Sequence, residues 1–327
     1  MSGRTDPAQS VLQPLAESAA SLWKAGRRIE QAGYAIAATL FTSGVAHMGV
    51  FAVAGGPWEG PVSWRKPVTF GVAFGLSVAA FVALSSFLVA SDRTRRLIVG
   101  AFVAACVTEV VLITVQAWRH VPSHFNRETT LDSTISSVLA AGGAVIIATS
   151  VAATVLALRA RPAAPSSGVL AIRVGTVLFL VALAIGAVMI AKGVALERTD
   201  SAASAYNRVG SLKPAHAVPM QAVIALPVIA WLLSFHCHRA ERSRYLLVAL
   251  ASAGYVILTG AVLIESLTSI DPLAPTMALG VTSALGLVTV LGVGLLALTG
   301  ALRDSRGEHV AGAESATRTS FASGDHR

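Results

Sequence analysis

The residues whose types could do chemistry are concentrated in one stretch, Thr108 to Asp132, which reads TEVVLITVQAWRHVPSHFNRETTLD. Glu109 and Gln116 lie seven residues apart in an apolar run, which is nearly two helical turns and puts them on one helix face. Asp132 opens the next apolar run. An ionisable group surrounded by hydrocarbon normally faces a partner or a wet cavity and marks a functional path. We therefore place the predicted site at this hairpin.

The predicted chemistry is acid–base catalysis on a hydrophobic substrate. In this hypothesis Glu109 is the buried acid, and Asp132 or His124 exchanges protons with the aqueous side. Gln116 orients the substrate. The loop between the two apolar runs adds two further substrate-binding candidates, Arg119 and Asn126.

Polar residues outside the hairpin complete the candidate set. The loop GGPWEGPVSWRKP carries Trp64, Arg65 and Lys66, and it is either an interfacial turn anchored by tryptophan or a lid for an anionic headgroup or diphosphate. His47, His216 and Gln221 lie in other apolar runs, near the same predicted membrane face. All six are predicted to bind substrate in a polar pocket within one leaflet.

The elements that must position these residues are transmembrane helices. The 327 residues are 54% hydrophobic and only 13% charged, and apolar runs of about 20 residues, long enough to cross a bilayer as helices, recur along the chain. The predicted fold is an all-α polytopic membrane bundle of eight transmembrane helices. The expected spans are 32–53, 68–90, 97–118, 135–158, 174–195, 217–235, 246–267 and 277–298.

The distribution of basic residues predicts the topology. The loops on one side hold 17 of the 25 lysines and arginines, so both termini are expected in the cytoplasm of a cell-membrane protein, and the His124 loop outside. The same distribution explains the net charge of +8 without nucleic-acid binding. Residues 1–28 are predicted to be a cytoplasmic segment, 29–300 the transmembrane domain and 301–327 a disordered cytoplasmic tail.

A faint repeat indicates a parallel four-plus-four duplication, with chance similarity between alanine-rich helices as the rival explanation. Lys66-Pro67 precedes the second span and Lys213-Pro214 precedes the sixth, while Gln116 and Glu265 end the third and seventh. The offsets are close to 147 residues. Duplications of this kind occur in transporters.

Several of the polar residues also have purely structural interpretations. Asp132 is a candidate helix N-cap, Lys192 and Glu265 are near enough to helix ends to extend into the headgroup region, and His47 is a candidate core histidine. Arg119 or His124 would then pair with Asp132 and clasp the hairpin.

Three functional classes remain open. A carboxyl pair in a small membrane bundle is analogous in its parts to the integral-membrane terpene cyclases, which implies an isoprenoid cyclase or lipid-modifying enzyme. A zinc-dependent intramembrane hydrolase would use His47, His124 and His216, as in the ceramidase and progestin-receptor group, although the paired His-x-x-x-His of that group is missing within the spans. A haem held between His47 and His216 would give a redox protein, and a proton-coupled carrier would titrate Glu109.

Two short stretches carry a family resemblance. The loop WRHVPSHFN followed by an aspartate, and Lys-Pro-Ala-His at the entry to the sixth span, resemble a group of bacterial multispan membrane proteins without an assigned activity. The resemblance implies that these loops form a site, and it implies no reaction.

Overall fold

The computed structural model describes residues 7–159, 165–197, 202–236, 239–271 and 273–322. Over these ranges the chain is helical, and eight segments are long and apolar enough to cross a membrane. The protein is therefore a multi-pass helical membrane protein, and the predicted fold is confirmed. The helices are α1 Pro7–Ala25, α2 Arg28–Ala54, α3 Arg65–Phe87, α4 Asp92–Trp118, α5 Thr130–Arg159, α6 Ser166–Glu197, α7 Ala202–Arg208, α8 Lys213–Met220, α9 Ala222–Ser234, α10 Glu241–Leu267 and α11 Met277–Ala322.

Because successive spans run in opposite directions, the bundle has two distinct ends. We call the end that holds the loops 55–64, 119–129 and 268–276 the hairpin end. The other end, which holds the turns 88–91 and 235–240, is the opposite end. The candidate loops of the sequence therefore lie together at the hairpin end.

Helices α2 and α3 pack closely because glycines let their backbones approach. A Cβ atom on Gly71 would lie 2.6 Å from the Cα of Gly44, and one on Gly75 would lie 2.7 Å from the amide nitrogen of Phe41. Small residues allow this approach in lipid, where close packing contributes much of helix association. The GxxxG pattern of the second span is thus a packing surface.

The same kind of contact occurs in each half of the chain at the opposite end. In the first half, Arg95 Nη1 donates a 2.6 Å hydrogen bond to the carbonyl of Ser85, ten residues earlier. In the second half, Arg244 Nη1 donates to the carbonyl of Ser234, also ten residues earlier, at 3.5 Å. Each arginine thereby joins the end of one span to the start of the next.

Further recurrences lie at the hairpin end. The amide of Gln116 on α4 donates to Asp132 on α5 at 2.9 Å, and Ser283 on α11 donates to Glu265 on α10 at 3.4 Å. Glu265 is 1% exposed, so it does not extend into the headgroup region. In each half the first span packs on the second and third, and the third packs on the fourth. These equivalences support a parallel duplication.

The structure departs from the predicted elements in three places. The N-terminal segment contains α1, which packs on the bundle through a 3.0 Å hydrogen bond from Trp231 to Ser18. The sixth span is interrupted at Gln221, between α8 and α9, where the sequence predicted one helix. The backbone of 301–322 continues α11, because its alanine-rich composition permits helix, whereas composition predicted a disordered tail; residues 323–327 lie outside the described ranges.

A buried ion pair lies at the opposite end, away from the predicted site residues. Glu30 is 2% exposed and Arg95 is 6% exposed. Arg95 Nη1 lies 3.6 Å from Glu30 Oε1, and Arg27 Nη1 lies 3.3 Å from the same oxygen. The sequence pattern does not indicate this pair, because Glu30 precedes the first predicted span.

Candidate functional site

Asp132 is the centre of a clasp that closes the α4–α5 hairpin. Its Oδ1 accepts hydrogen bonds from Arg119 at 2.7 Å and from Gln116 at 2.9 Å. Its Oδ2 accepts from Thr129 at 2.6 Å, and Arg119 also donates to the side-chain oxygen of Gln116. Both carboxylate oxygens are therefore occupied, and this arrangement suits a fixed charge better than the proton exchange we predicted.

Local sequence explains how the clasp forms. Thr129 Oγ1 accepts a 3.1 Å hydrogen bond from the backbone N–H of Asp132, which makes Thr129 the N-cap of α5 and Asp132 its third residue. Threonine followed three residues later by an acid is a variant of the capping-box pattern. The prediction that Asp132 is itself the N-cap was wrong by three residues, and its predicted pairing with Arg119 is confirmed.

His47 belongs to an aromatic cluster, separate from the clasp. Its Nδ1 lies 2.7 Å from the carbonyl of Ser43, and its Nε2 accepts a 3.1 Å hydrogen bond from Trp118. The Trp64 ring packs edge-on against Trp118 with centroids 5.1 Å apart. Trp64 is 7% exposed, so it is a buried support for the loop, and both nitrogens of His47 are engaged.

Three cationic side chains surround Tyr206 at the hairpin end. Lys66 Nζ lies 4.9 Å from the centroid of the tyrosine ring, and Lys213 Nζ lies 3.9 Å from it. Arg65 donates a 3.0 Å hydrogen bond to the tyrosine hydroxyl. We call Arg65, Lys66, Lys213 and Tyr206 the cation cluster.

Carboxylates contribute little to the cation cluster. Among the described residues its acidic partner is Glu59, 3.5 Å from Arg65 and with a side chain 74% exposed. Lys66 is only 9% exposed and donates to the carbonyl of Pro61 at 2.5 Å and to Ser123 at 3.2 Å. Lys213 and Arg65 are close enough to repel it. The cluster therefore places two cationic side chains beside the buried amino group of Lys66.

His124 is coupled to the cation cluster through Ser123. The hydroxyl of Ser123, which accepts from Lys66, lies 3.1 Å from His124 Nδ1. Burial, and then the charge of Lys66, lower the pKa of His124 to about 3. At neutral pH the imidazole is therefore uncharged.

Buried donors without partners lie beside this cluster in sequence. Ser63 is 3% exposed and Asn126 is 1% exposed. The hydroxyl of Ser63 and the amide nitrogen of Asn126 have no hydrogen-bond partner among the described residues. The Asn126 oxygen accepts from the N–H of Glu128 at 3.1 Å, which aims the amide nitrogen elsewhere. Such orphaned donors are uncommon in folded proteins and are suited to an acceptor-rich ligand.

Glu109 stands apart from all of these groups. It is 4% exposed and lies against α5, where a Cβ on Gly142 would be 2.8 Å from Glu109 Oε1. Within the described part of the chain no side chain hydrogen-bonds to this carboxyl group. Glycine at residue 142 thus makes room for a buried acid that neither Asp132 nor His124 contacts.

His216 and Gln221 occupy a further region. His216 Nδ1 lies 2.7 Å from the carbonyl of Ala182 on α6, and Gln221 stands at the break between α8 and α9. Among the described contacts, none joins Glu109, His47 or His216 to another of the three. Each has a different set of neighbours, on different helices.

Two grooves lie between helices of the bundle. One, of about 400 Å³, lies between α4 and α5 and is lined by Val107, Thr108, Val111, Leu112, Thr134, Ile135 and Val138. A second, of about 430 Å³, lies between α2 and α4. Both linings are mainly apolar, and none of the predicted site residues contributes to either.

The geometry bears on the metal and haem alternatives too. No three His, Cys, Asp or Glu side chains come together to hold a metal within the part of the chain that the structure describes. Cys237 and His238 lie outside that part, and the neighbouring His236 contacts the carbonyl of Ala297 at 2.9 Å. A haem on His47 would have to displace the hydrogen bond from Trp118.

Sequence reasoning missed the cation cluster as a unit. Lys213 belongs to a repeated Lys-Pro pair, and that repeat is the available sequence signal. Tyr206 carries no such sequence signal, because it lies outside the predicted spans and only its contacts in the structure identify it.

Neither a family model, nor a curated protein, nor a solved structure matches this chain.

Proposed function

We propose that this membrane protein binds an anionic amphiphile at the hairpin end, with the phosphate or diphosphate of a lipid or isoprenoid held by the cation cluster. The observation that carries the proposal is the approach of Arg65, Lys66 and Lys213 to one tyrosine with little compensating carboxylate. A buried, uncompensated charge is costly. An anionic ligand would offset that cost.

Three features make phosphate the favoured ligand. The guanidinium of Arg65 can donate in parallel to two phosphate oxygens, and the lysines supply point charges. The unpaired donors of Ser63 and Asn126 would bind further oxygens. The hydrophobic part of the ligand would remain in the bilayer beside the spans, which suits an amphiphile.

The test is ligand binding by the full-length protein in uncharged detergent. Native mass spectrometry would compare dioleoyl phosphatidic acid with dioleoylglycerol, and farnesyl diphosphate with farnesol. We expect the phosphorylated member of at least one pair to bind at least tenfold more tightly. Inorganic phosphate competing equally well would identify a free-phosphate site instead, and equal binding within both pairs would refute the proposal.

Matched variants locate the site. Lys213→Gln removes a partly exposed member of the cluster, and we expect about a tenfold loss of affinity, since a charge-assisted hydrogen bond contributes about 1.5–3 kcal/mol. Lys192→Gln is the control, because Lys192 is an exposed lysine near the end of α6. Equal losses in the two variants would indicate general charge attraction rather than a site.

We propose acid–base chemistry on a lipid or isoprenoid by Glu109 as the second candidate function. Its support is a buried carboxyl group without a side-chain partner, held against Gly142. Incubation with geranylgeranyl diphosphate in D₂O should give deuterated product, detected by mass spectrometry, and Glu109→Gln should abolish it. Identical product from wild type and variant, or no deuterium in either, would exclude this role.

We also propose that the hairpin end is extracytoplasmic and that both termini are cytoplasmic. The proposal rests on the basic residues that follow spans two, four and six. Protease protection of a tag placed after Arg327 in inverted and right-side-out cell-membrane vesicles tests it. Protection of that tag in inverted vesicles would reverse the assignment.

A further inference from the structure

Three hydroxyls buried along α10 lack hydrogen-bond partners. Ser252, Thr259 and Ser266 follow one another at intervals of seven residues and are 5%, 6% and 3% exposed. Their oxygens have no hydrogen-bond partner among the described residues. Seven residues are nearly two turns, so the three hydroxyls form one line along the helix. We call this line the α10 seam.

Other hydroxyls in the bundle donate hydrogen bonds within their own helix. Thr108, Ser150 and Thr289 each donate to the carbonyl four residues earlier, at 2.9, 2.7 and 2.7 Å. That back-bonding is the usual solution for serine and threonine in a helix. The seam residues depart from it, which leaves their hydroxyls to be paired by something other than their own helix.

The α10 seam lies on the helix face that contacts the sixth span. Tyr255, on the same helix face, donates a 3.2 Å hydrogen bond to the carbonyl of Val218 on α8. Since α10 and α8 run in opposite directions, Ser252 and Gln221 lie at the same depth, each three residues beyond that contact. Gln221 is near the middle of the span Tyr206–Ser234, so the seam reaches the centre of the bundle.

Two prolines flank the break. Pro219 and Pro227 lie on either side of Gln221. Neither has an N–H to donate, so the carbonyls one turn earlier lose their helical donors. In transmembrane helices, freed carbonyls of this kind are satisfied by neighbouring side chains or by ordered water. The face of α10 that holds the seam therefore contacts the segment of the sixth span where helical hydrogen bonding is interrupted.

We propose that the α10 seam is a hydrated path that brings water from the hairpin end to the break at Gln221. Water is the ligand that suits a row of orphaned hydroxyls without net charge. The path gives small polar or protonated species access to mid-depth in the second half of the bundle. It is independent of the cation cluster and of the anionic ligand proposed there.

The test is the accessibility of introduced cysteines to a membrane-impermeant methanethiosulfonate reagent, in full-length protein in which Cys106 and Cys237 are replaced by alanine. Ser266→Cys, Thr259→Cys and Ser252→Cys should react in that order of decreasing rate from the hairpin side. The matched control is Val256→Cys. Val256 lies three residues from Thr259, on the lipid-facing side of α10, and is 51% exposed. We expect Thr259→Cys to react at least tenfold faster than Val256→Cys, and equal rates would refute the path.

A second measurement uses no cysteine variant, so it does not depend on whether those variants fold. Thr259→Val removes the hydroxyl at nearly constant volume. In a dry seam this removes an unpaired polar group, and the Tm of the purified protein would rise. In a hydrated seam it removes a hydrogen bond to water, and the Tm would stay the same or fall. A raised Tm would therefore overturn the proposal on its own.

Discussion

Lys66 and Lys213 approach the ring of the same tyrosine, Tyr206, with their ammonium groups 4.9 and 3.9 Å from its centroid. Each lysine stands in the first turn of a helix and is followed by proline, in opposite halves of the chain. Two positions that correspond in the repeated Lys-Pro pattern thus meet at one point. Ligand binding at this point would draw on both halves.

The first prediction separates the two roles of Tyr206. Tyr206→Phe keeps the aromatic face for the lysines and removes the hydrogen bond from Arg65, whereas Tyr206→Leu removes both. Because exposed cation–π contacts contribute about 0.5–1 kcal/mol each, Tyr206→Leu should weaken binding of the phosphorylated amphiphile several-fold more than Tyr206→Phe. Titration by native mass spectrometry measures this, and equal affinities would mean that the ring does not position the lysines.

The second prediction concerns the clasp. Asp132→Asn leaves Arg119 without its carboxylate, and unpairing a buried charge costs about 3–5 kcal/mol. The Arg119 side chain is 33% exposed, so solvent reduces the expected loss to about 1–3 kcal/mol. Reversible unfolding in sodium dodecyl sulfate measures the free energy. Asp271→Asn, at an exposed loop residue, is the control and should leave stability unchanged.

The third prediction concerns the α2–α3 interface. Gly71→Ala places a Cβ 2.6 Å from backbone atoms of Gly44, and overpacking of this kind costs about 1–3 kcal/mol. Gly100→Ala is the matched control, because a Cβ there meets nothing within 4 Å, and alanine favours helix. The Tm in detergent should fall for the first variant and stay the same or rise for the second. The opposite order would contradict the close helix approach.

The fourth prediction is a pH dependence of stability set by His124. Its folded pKa of about 3 lies below its ordinary value of 6.5. Between these values the unfolded chain binds a proton that the folded chain does not, so stability is complete above pH 6.5 and is lost as the pH falls. The loss is at most about 1.4 kcal/mol per pH unit.

The measurement for this prediction is the Tm of wild type and His124→Gln at pH 7 and pH 5. Wild type should lose more stability on acidification than the variant, because the other titratable groups are common to both. Equal losses would show that His124 is protonated as readily in the folded chain as in the unfolded one.

The amino-acid sequence determined the class of this protein and much of its order along the chain. Span length, apolar composition and the GxxxG pattern at Gly71 depend on local transfer energies and on backbone sterics, which a sequence carries directly. The Arg119–Asp132 pair could also be predicted from the sequence. Both residues flank one short loop, so a hairpin brings them together.

Tertiary structure alone decided which polar residues share a neighbourhood. His47, Glu109 and His216 have similar sequence signatures, yet each has different neighbours, because helix rotation and the choice of packing partner set side-chain direction. The same factors brought Tyr206 to Lys66 across 140 residues and turned Ser252, Thr259 and Ser266 toward a broken helix. Depth along a helix can be read from residue spacing, whereas the face that meets a neighbour is fixed only when all eight spans pack.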